Sequence, residues 1–174
     1  MLNPLLRLLR LFKHRWMDDA SRRLAPAVVQ ALGQQVAASE REHSGEIRIF
    51  IEAGLPNSYL LRSDSTADLT RQRALTQFGK LRVWDTAHNN GVLIYLLLAE
   101  HAIEVVADRG LNDHVAPEVW QALVQRLGTA LREQQFEAGL TQAVNEVSAM
   151  LKQHFPLAPG AVNPNELPDQ PVLG

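Results

Sequence analysis

Two short stretches carry most of the residues able to do chemistry. The first is Asp85-Thr86-Ala87-His88-Asn89-Asn90, and the second is Asp108-Arg109-Gly110-Leu111-Asn112-Asp113-His114. Asp and Asn side chains and backbone carbonyls are the oxygen ligands that hard cations such as Ca2+ and Mg2+ take. Two carboxylates with a histidine also suit acid–base or metal-assisted phosphoester hydrolysis. A plainer reading stands beside both: Asp and Asn favour strand ends and turns because they bond their own backbone and tolerate left-handed conformations. The sequence has no Asp-x-Asp-x-Asp-Gly calcium loop, no Gly-x-Ser-x-Gly, no His-Glu-x-x-His and no phosphate-cradling glycine loop. Cation affinity is therefore expected to be modest. His88 and His114 read as solvated loop residues before metal ligands, and Trp84 and Trp120 as packing residues before a binding platform.

For these stretches to form one site, the elements around them must bring them together. Ile47, Ile49 and Ile51 alternate with Arg48, Phe50 and Glu52, the period of a strand over Glu46–Ala53 with one apolar and one mixed face. Val92–Leu98 is a continuous apolar run, the mark of a strand covered on both faces. His101–Ala107 makes a third strand, joined to the second by a tight turn at Ala99-Glu100. Helical spacing predicts helices over residues 25–43, 65–81, 117–133 and 136–154. Pro26 suits the first turn of the first of them, and Ser44-Gly45 is expected to end it with a positive φ. Ser65-x-x-Asp68 resembles a capping pattern for the second, whose buried face should carry Ala67, Arg71, Ala74, Phe78 and Leu81.

The first strand, a helix and the second strand make a βαβ unit with parallel strands and a right-handed crossover. The second and third strands form an antiparallel hairpin. One rim of the sheet then collects Asp85, His88, Asn89 and Asn90 beside Asp108, Arg109, Asn112, Asp113 and His114, with Ser44-Gly45-Glu46 on the same edge. The opposite rim carries the Ala99-Glu100 turn and the Gly54–Asp64 loop. The expected fold class is α/β: a three-layer α/β/α sandwich with a small central mixed β-sheet and helices on both faces.

Composition bounds the function. The 174 residues suit one core, and 46% hydrophobic with 21% charged residues is globular composition. A net charge of -2 gives no support to nucleic-acid binding. The absence of cysteine excludes disulfides, thiolate metal sites and cysteine nucleophiles. No apolar run approaches the roughly 20 residues of a membrane span. Residues 1–22 read as a basic amphipathic helix. Leu2, Leu5, Leu6, Leu9, Phe12 and Trp16 form its apolar side, and Arg7, Arg10, Lys13 and His14 the other. Such a helix either meets an anionic membrane surface or a protein partner, or folds back on its own domain. Arg7 and Arg10 interrupt the apolar run a signal peptide needs, so the expected location is cytoplasmic, peripheral at the inner membrane if the helix meets lipid. Residues 157–174, with Pro159, Pro164, Pro168 and Pro171, are expected to be a disordered or loosely draped tail after a domain over 23–156.

In order along the chain come Ser44-Gly45-Glu46-Ile47-Arg48, Phe78-Gly79-Lys80-Leu81, Thr86-x-x-x-Asn90-Gly91-Val92-Leu93-Ile94-Tyr95, Ile103-x-Val105-x-Ala107-Asp108-x-Gly110-Leu111, Trp120 and Phe136-x-x-Gly139-Leu140. Their order and spacing resemble the TPM domain family over about residues 25–155. The resemblance implies a central mixed sheet with helices on both faces. Some relatives are described as acid phosphatases, and some as binding divalent cations in loops along one sheet edge. The family positions matched are Thr86, Asn90, Gly91, Asp108 and Gly110, with Glu46 and Arg109 beside them. Exported relatives carry an N-terminal Asp-x-x-Gly-x-Leu segment and a signal peptide; the basic helix here instead resembles the short, non-exported bacterial branch.

The reading preferred from the sequence is a non-catalytic accessory or binding module. It would hold Ca2+ or Mg2+ with Asp85, Asn89, Asn90, Asp108 and Asp113, and contact a membrane or partner through Leu5, Leu9, Phe12, Arg7, Arg10 and Lys13. The alternative is a weak metal-dependent acid phosphatase using Asp85 and Asp108.

Overall fold

The computed structural model describes His14 and residues 24–174. A four-stranded mixed sheet lies at the centre, in the order β3-β2-β1-β4. Strand β1 (Ile47–Glu52) pairs parallel with β2 (Val92–Leu97), and β2 pairs antiparallel with β3 (Ala102–Ala107). The βαβ unit and the hairpin expected from the sequence are both present. On one face pack α1 (Pro26–Ser39), α5 (Pro117–Arg132) and α6 (Phe136–His154). Leu32, Val36, Leu123, Leu127, Leu140, Val144, Val147 and Leu151 meet Ile47, Ile49, Ile51, Val92, Ile94 and Leu96 there. On the other face pack the single turn α2 (Asn57–Leu60) and α3 (Thr66–Lys80), whose Tyr59, Leu60, Leu69 and Ala74 meet Phe50, Leu93, Tyr95 and Leu97. A single-turn helix, α4 (Arg109–Asn112), follows β3. The continuous apolar β2 thus has a core on each side, the physical reason such runs lack alternation.

Four expectations need correction. Helix α1 ends at Ser39, and Gly45 does not take a positive φ. Residues 40–45 are held instead by Glu40, whose Oε1 accepts from the Ile47 N–H at 2.8 Å, and by His43, whose Nδ1 donates to the Gly45 carbonyl at 3.0 Å. The β2–β3 turn is a 3₁₀ turn over Leu98–Glu100, closed by His101 at φ 50°, so β3 begins one residue later than expected. The buried face of α3 is Leu69, Thr70, Arg73, Ala74 and Gln77, with Ala67 and Arg71 exposed. Val119, which helical spacing places on the core face with Trp120, Leu123, Val124, Leu127 and Leu131, is exposed at the start of α5.

The largest departure is the C-terminal segment. Val172–Leu173 forms strand β4, parallel to β1 with Phe50 opposite Val172. Leu167 is buried, and the backbone N–H groups of Glu166 and Leu167 donate to the two oxygens of Glu46 at 3.0 and 3.1 Å. The prolines that suggested disorder keep this segment extended, and a short strand at an edge tolerates them. With β4 on its open side, β1 is buried along its whole length, Arg48 and Glu52 included.

At the rim where β1 and β2 end, His14 is buried. Its Nδ1 accepts from the Leu55 N–H at 2.9 Å, so Nε2 carries the proton and donates to Glu100 Oε1 at 2.7 Å. His14 therefore sits in the domain and not on a solvated polar face. Residues Leu5, Leu9, Phe12, Arg7, Arg10 and Lys13 lie outside the described residues.

Candidate functional site

The rim where β2 starts and β3 ends is assembled mainly by backbone. The Asp108 N–H donates to the Gly91 carbonyl at 2.9 Å, continuing the β2–β3 ladder one step past Val92–Ala107. The Gly110 N–H donates to the Asn89 carbonyl at 2.9 Å, tying α4 to the loop before β2. Both glycines are needed for close approach. A Cβ on Gly91 would stand 2.0 Å from the Val83 carbonyl oxygen, and one on Gly110 2.6 Å from those of His88 and Asn89. Thr86 Oγ1 accepts from the Asn90 N–H at 3.0 Å and closes the loop. Family positions Thr86, Asn90, Gly91, Asp108 and Gly110 are thus the parts of one backbone junction.

Within that junction two side-chain oxygens stand apart. Asn90 is fully buried; its amide donates to Ser44 Oγ at 3.2 Å, and its Oδ1 meets no donor among the described residues. Asp108 caps α4, with Oδ1 accepting from the Arg109 N–H at 2.7 Å, while Oδ2 is buried and meets no donor among the described residues. A buried oxygen without a donor is uncommon and calls for a ligand, an ion or water.

The other proposed ligands are spent or turned away. Asp85 pairs with Arg82 on the exposed side of the loop. Asn89, at φ 52°, accepts at Oδ1 from the Arg109 guanidinium at 3.1 Å, a cation where a metal ligand would need open space. Asp113 is exposed at the end of α4, and Asn112 donates to the Ala107 carbonyl at 2.7 Å. His88 is exposed, while His114 stacks on His154 with ring centres 5.0 Å apart. Among the described residues no group of three His, Cys, Asp or Glu side chains is placed to hold a metal ion. Of the oxygens proposed as ligands, Asn90 Oδ1 and Asp108 Oδ2 are the two left without a donor among the described residues; a cation held there would keep most of its shell as water, as Mg2+ commonly does.

Two buried charged groups were not visible in the sequence. Behind β1, Arg73 donates to both oxygens of Glu52, through Nε at 2.9 and 3.1 Å and through Nη2, and the Tyr95 hydroxyl donates to Glu52 Oε2 at 2.7 Å. Burial pulls the Arg73 guanidinium down, but Glu52 more than offsets this and leaves it above its ordinary value. Burial, reinforced by the Glu52 carboxylate, pushes the Tyr95 phenol up. The second group lies between α1, β1 and the C-terminal segment. Glu40 Oε2 meets no donor among the described residues; when protonated, it can give its own proton to neighbouring Asp169. Burial and the nearby Glu46 carboxylate push the Glu40 carboxyl up to about 9. Burial likewise raises Glu46, against the N–H groups of Glu166 and Leu167, and lowers Arg48. The sequence signal for both groups was the polar half of the β1 alternation, Arg48 and Glu52, which read as a mixed face.

The model of the TPM domain family matches residues 17–150, and the chain belongs to that family. No curated protein matches it. Among solved structures it is similar to the BA42 protein of the psychrophilic bacterium Bizionia argentinensis. That match has 24% identity and a TM-score of 0.70, over 86% of this chain and 94% of that one. The N-terminal domain of a P. gingivalis protein is also similar, at 19% identity and a TM-score of 0.56, over 89% of this chain and 94% of that one. At these identities the likeness is one of fold. Among the described residues no helix is long and apolar enough to cross a membrane.

Proposed function

We propose that this TPM domain is a non-catalytic binding module that holds a divalent cation, Ca2+ or Mg2+, at the junction of β2, β3 and α4. The observation that carries the reading is the pair of buried, donor-less oxygens, Asn90 Oδ1 and Asp108 Oδ2, on neighbouring steps of one ladder. Asp108 supplies the charge and Asn90 a neutral oxygen. With a single carboxylate the site would bind weakly, since cation affinity rises with ligand charge count. The hydrolytic alternative has less support. It needs Asp85 and Asp108 to act together, and the Asp85 carboxylate is engaged by Arg82.

Titration with Ca2+ and with Mg2+, followed by amide NMR shifts, tests the cation reading. Shifts centred on residues 85–91 and 108–111 are expected in the wild type and not in Asp108→Ala. Unmoved spectra at millimolar ion would refute it. In the same preparations, turnover of p-nitrophenyl phosphate should not differ between wild type and Asp108→Ala; a rate lost in the variant would favour the hydrolase.

The second part of the proposal is contact of the basic N-terminal segment with an anionic membrane surface, supported by the leucine-rich stripe and by Arg7, Arg10 and Lys13. Flotation with phosphatidylserine vesicles should fall when those three residues are changed to Glu, and an unchanged float would remove this part.

A further inference from the structure

The outer edge of β3 is an open strand edge with a groove beside it. Val92 donates its N–H to the Glu46 carbonyl at 2.8 Å, so Val92, Ile94 and Leu96 turn their backbone groups toward β1. Leu93, Tyr95 and Leu97 then turn theirs toward β3, where they pair with Val106, Glu104 and Ala102. The N–H and C=O groups of Ile103, Val105 and Ala107 consequently point out of the sheet. Arg71 Nη1 covers the Val105 carbonyl at 3.1 Å, and Asn112 Nδ2 covers that of Ala107 at 2.7 Å. The Ile103 carbonyl and the N–H groups of Ile103 and Val105 have no partner among the described residues. Polar guards are a usual device on open edges, and here they protect only the C-terminal half of the strand.

Beside the bare half run two adjoining clefts of about 370 and 440 Å³, which share Ile103, Val124 and Gln125 between β3 and α5. Trp120 lines the first and is half-buried, its Nε1 enclosed and meeting no acceptor among the described residues. The second ends at His101 and Arg132 and passes over Gly128, where an added Cβ would meet nothing closer than Ile103 Cδ1 at 3.6 Å. Strand donors and one acceptor run along the groove's side, Ile103, Trp120 and Val124 lie on its wall among Glu104, Gln121 and Gln125, and His101 and Arg132 stand at one end.

We infer that this groove binds an extended acidic peptide segment of a partner protein, added as a strand antiparallel to β3. In the antiparallel sense, the peptide residue opposite Ile103 exchanges both backbone bonds with it, and the residue opposite Val105 accepts from its N–H. The side chains of these two peptide residues share the α5 face with Ile103 and Val105, which calls for β-branched apolar residues. The C-terminal end of the peptide arrives at His101 and Arg132, which calls for a carboxylate. This site lies on a different strand edge from the cation junction, and neither depends on the other.

The probe is the acetylated, amidated peptide Val-Thr-Val-Thr-Asp, titrated into the full chain. Amide shifts at residues 102–105 and movement of the Trp120 indole N–H are expected. N-methylation of the central Val removes its donor to the Ile103 carbonyl and should weaken binding by about tenfold. Changing the peptide Asp to Asn should weaken it by about threefold. Gly128→Leu places a side chain in the groove and improves α5 as a helix, so this variant keeps the fold while losing the peptide. Absence of shifts at millimolar peptide overturns the inference. So does binding that survives either N-methylation or Gly128→Leu.

Discussion

Glu52 accepts hydrogen bonds at both oxygens, from Arg73 and Tyr95, in a closed group behind the sheet. Asn90 and Asp108, at the start of β2 and just past the end of β3, each keep one buried oxygen that meets no donor among the described residues. Both sets are enclosed by the same fold, so burial does not separate them; completeness does. A closed network leaves no valence for a ligand, and removing one member leaves an uncompensated charge. An incomplete one costs stability until something supplies the missing partner. The Glu40–Asp169 pair is an intermediate case, since a proton can complete it.

The largest effect expected from this contrast is at Arg73. Arg73→Met strands the Glu52 carboxylate in the core and should cost about 3–5 kcal/mol in urea unfolding. Replacing Glu52 and Arg73 together by Leu and Met should cost less than the single change. The cation response of the rim should survive in both. A single variant within 1 kcal/mol of wild type, as an order-of-magnitude bound, would break the contrast.

A pH-dependent effect follows from Glu40. Its folded carboxyl holds a proton up to about pH 9, well above the ordinary glutamate value of 4.5. The folded state therefore binds the proton more tightly than the unfolded one. This contribution is full below about pH 4.5 and is lost as pH rises toward 9. Glu46 slopes the same way. Glu40→Gln should flatten most of the decline in stability measured between about pH 5 and pH 9, and an unchanged slope would assign it elsewhere.

The helices and the three main strands could be read from the sequence because their signals are local. Leu140, Val144, Val147 and Leu151 lie at helical spacing on one face of α6, and all are buried. What could not be read depends on partners distant in sequence. Arg73 and Gln77 take the inner face of α3, with Arg73 held there by Glu52, 21 residues earlier. Arg48 is buried against the C-terminal segment more than a hundred residues later, where its Nη1 donates to the Gln170 carbonyl at 3.3 Å. No local pattern marks Val172–Leu173 as a strand. At the rim, the sequence placed Asn90 and Asp108 together correctly through chain direction alone. It could not show that Asp85 would pair with Arg82 or Asn89 with Arg109.

Asn90→Ala is the mildest of the structural changes. It removes one amide bond to Ser44 and also one donor-less oxygen, so a net cost of about 1 kcal/mol is expected in thermal unfolding. A loss several times larger would mean that Asn90 acts chiefly as a structural tie.

The central claim, that the Asn90–Asp108 junction accepts a cation, is tested most directly by the calorimetric melting temperature in chelator and in excess Ca2+ or Mg2+. An ion held with millimolar affinity and supplied at about ten times its dissociation constant should add about 1.4 kcal/mol to the wild type, a rise of several degrees. The same ion should add nothing to Asp108→Ala. Equal rises in the two proteins, or none in the wild type, would contradict the account.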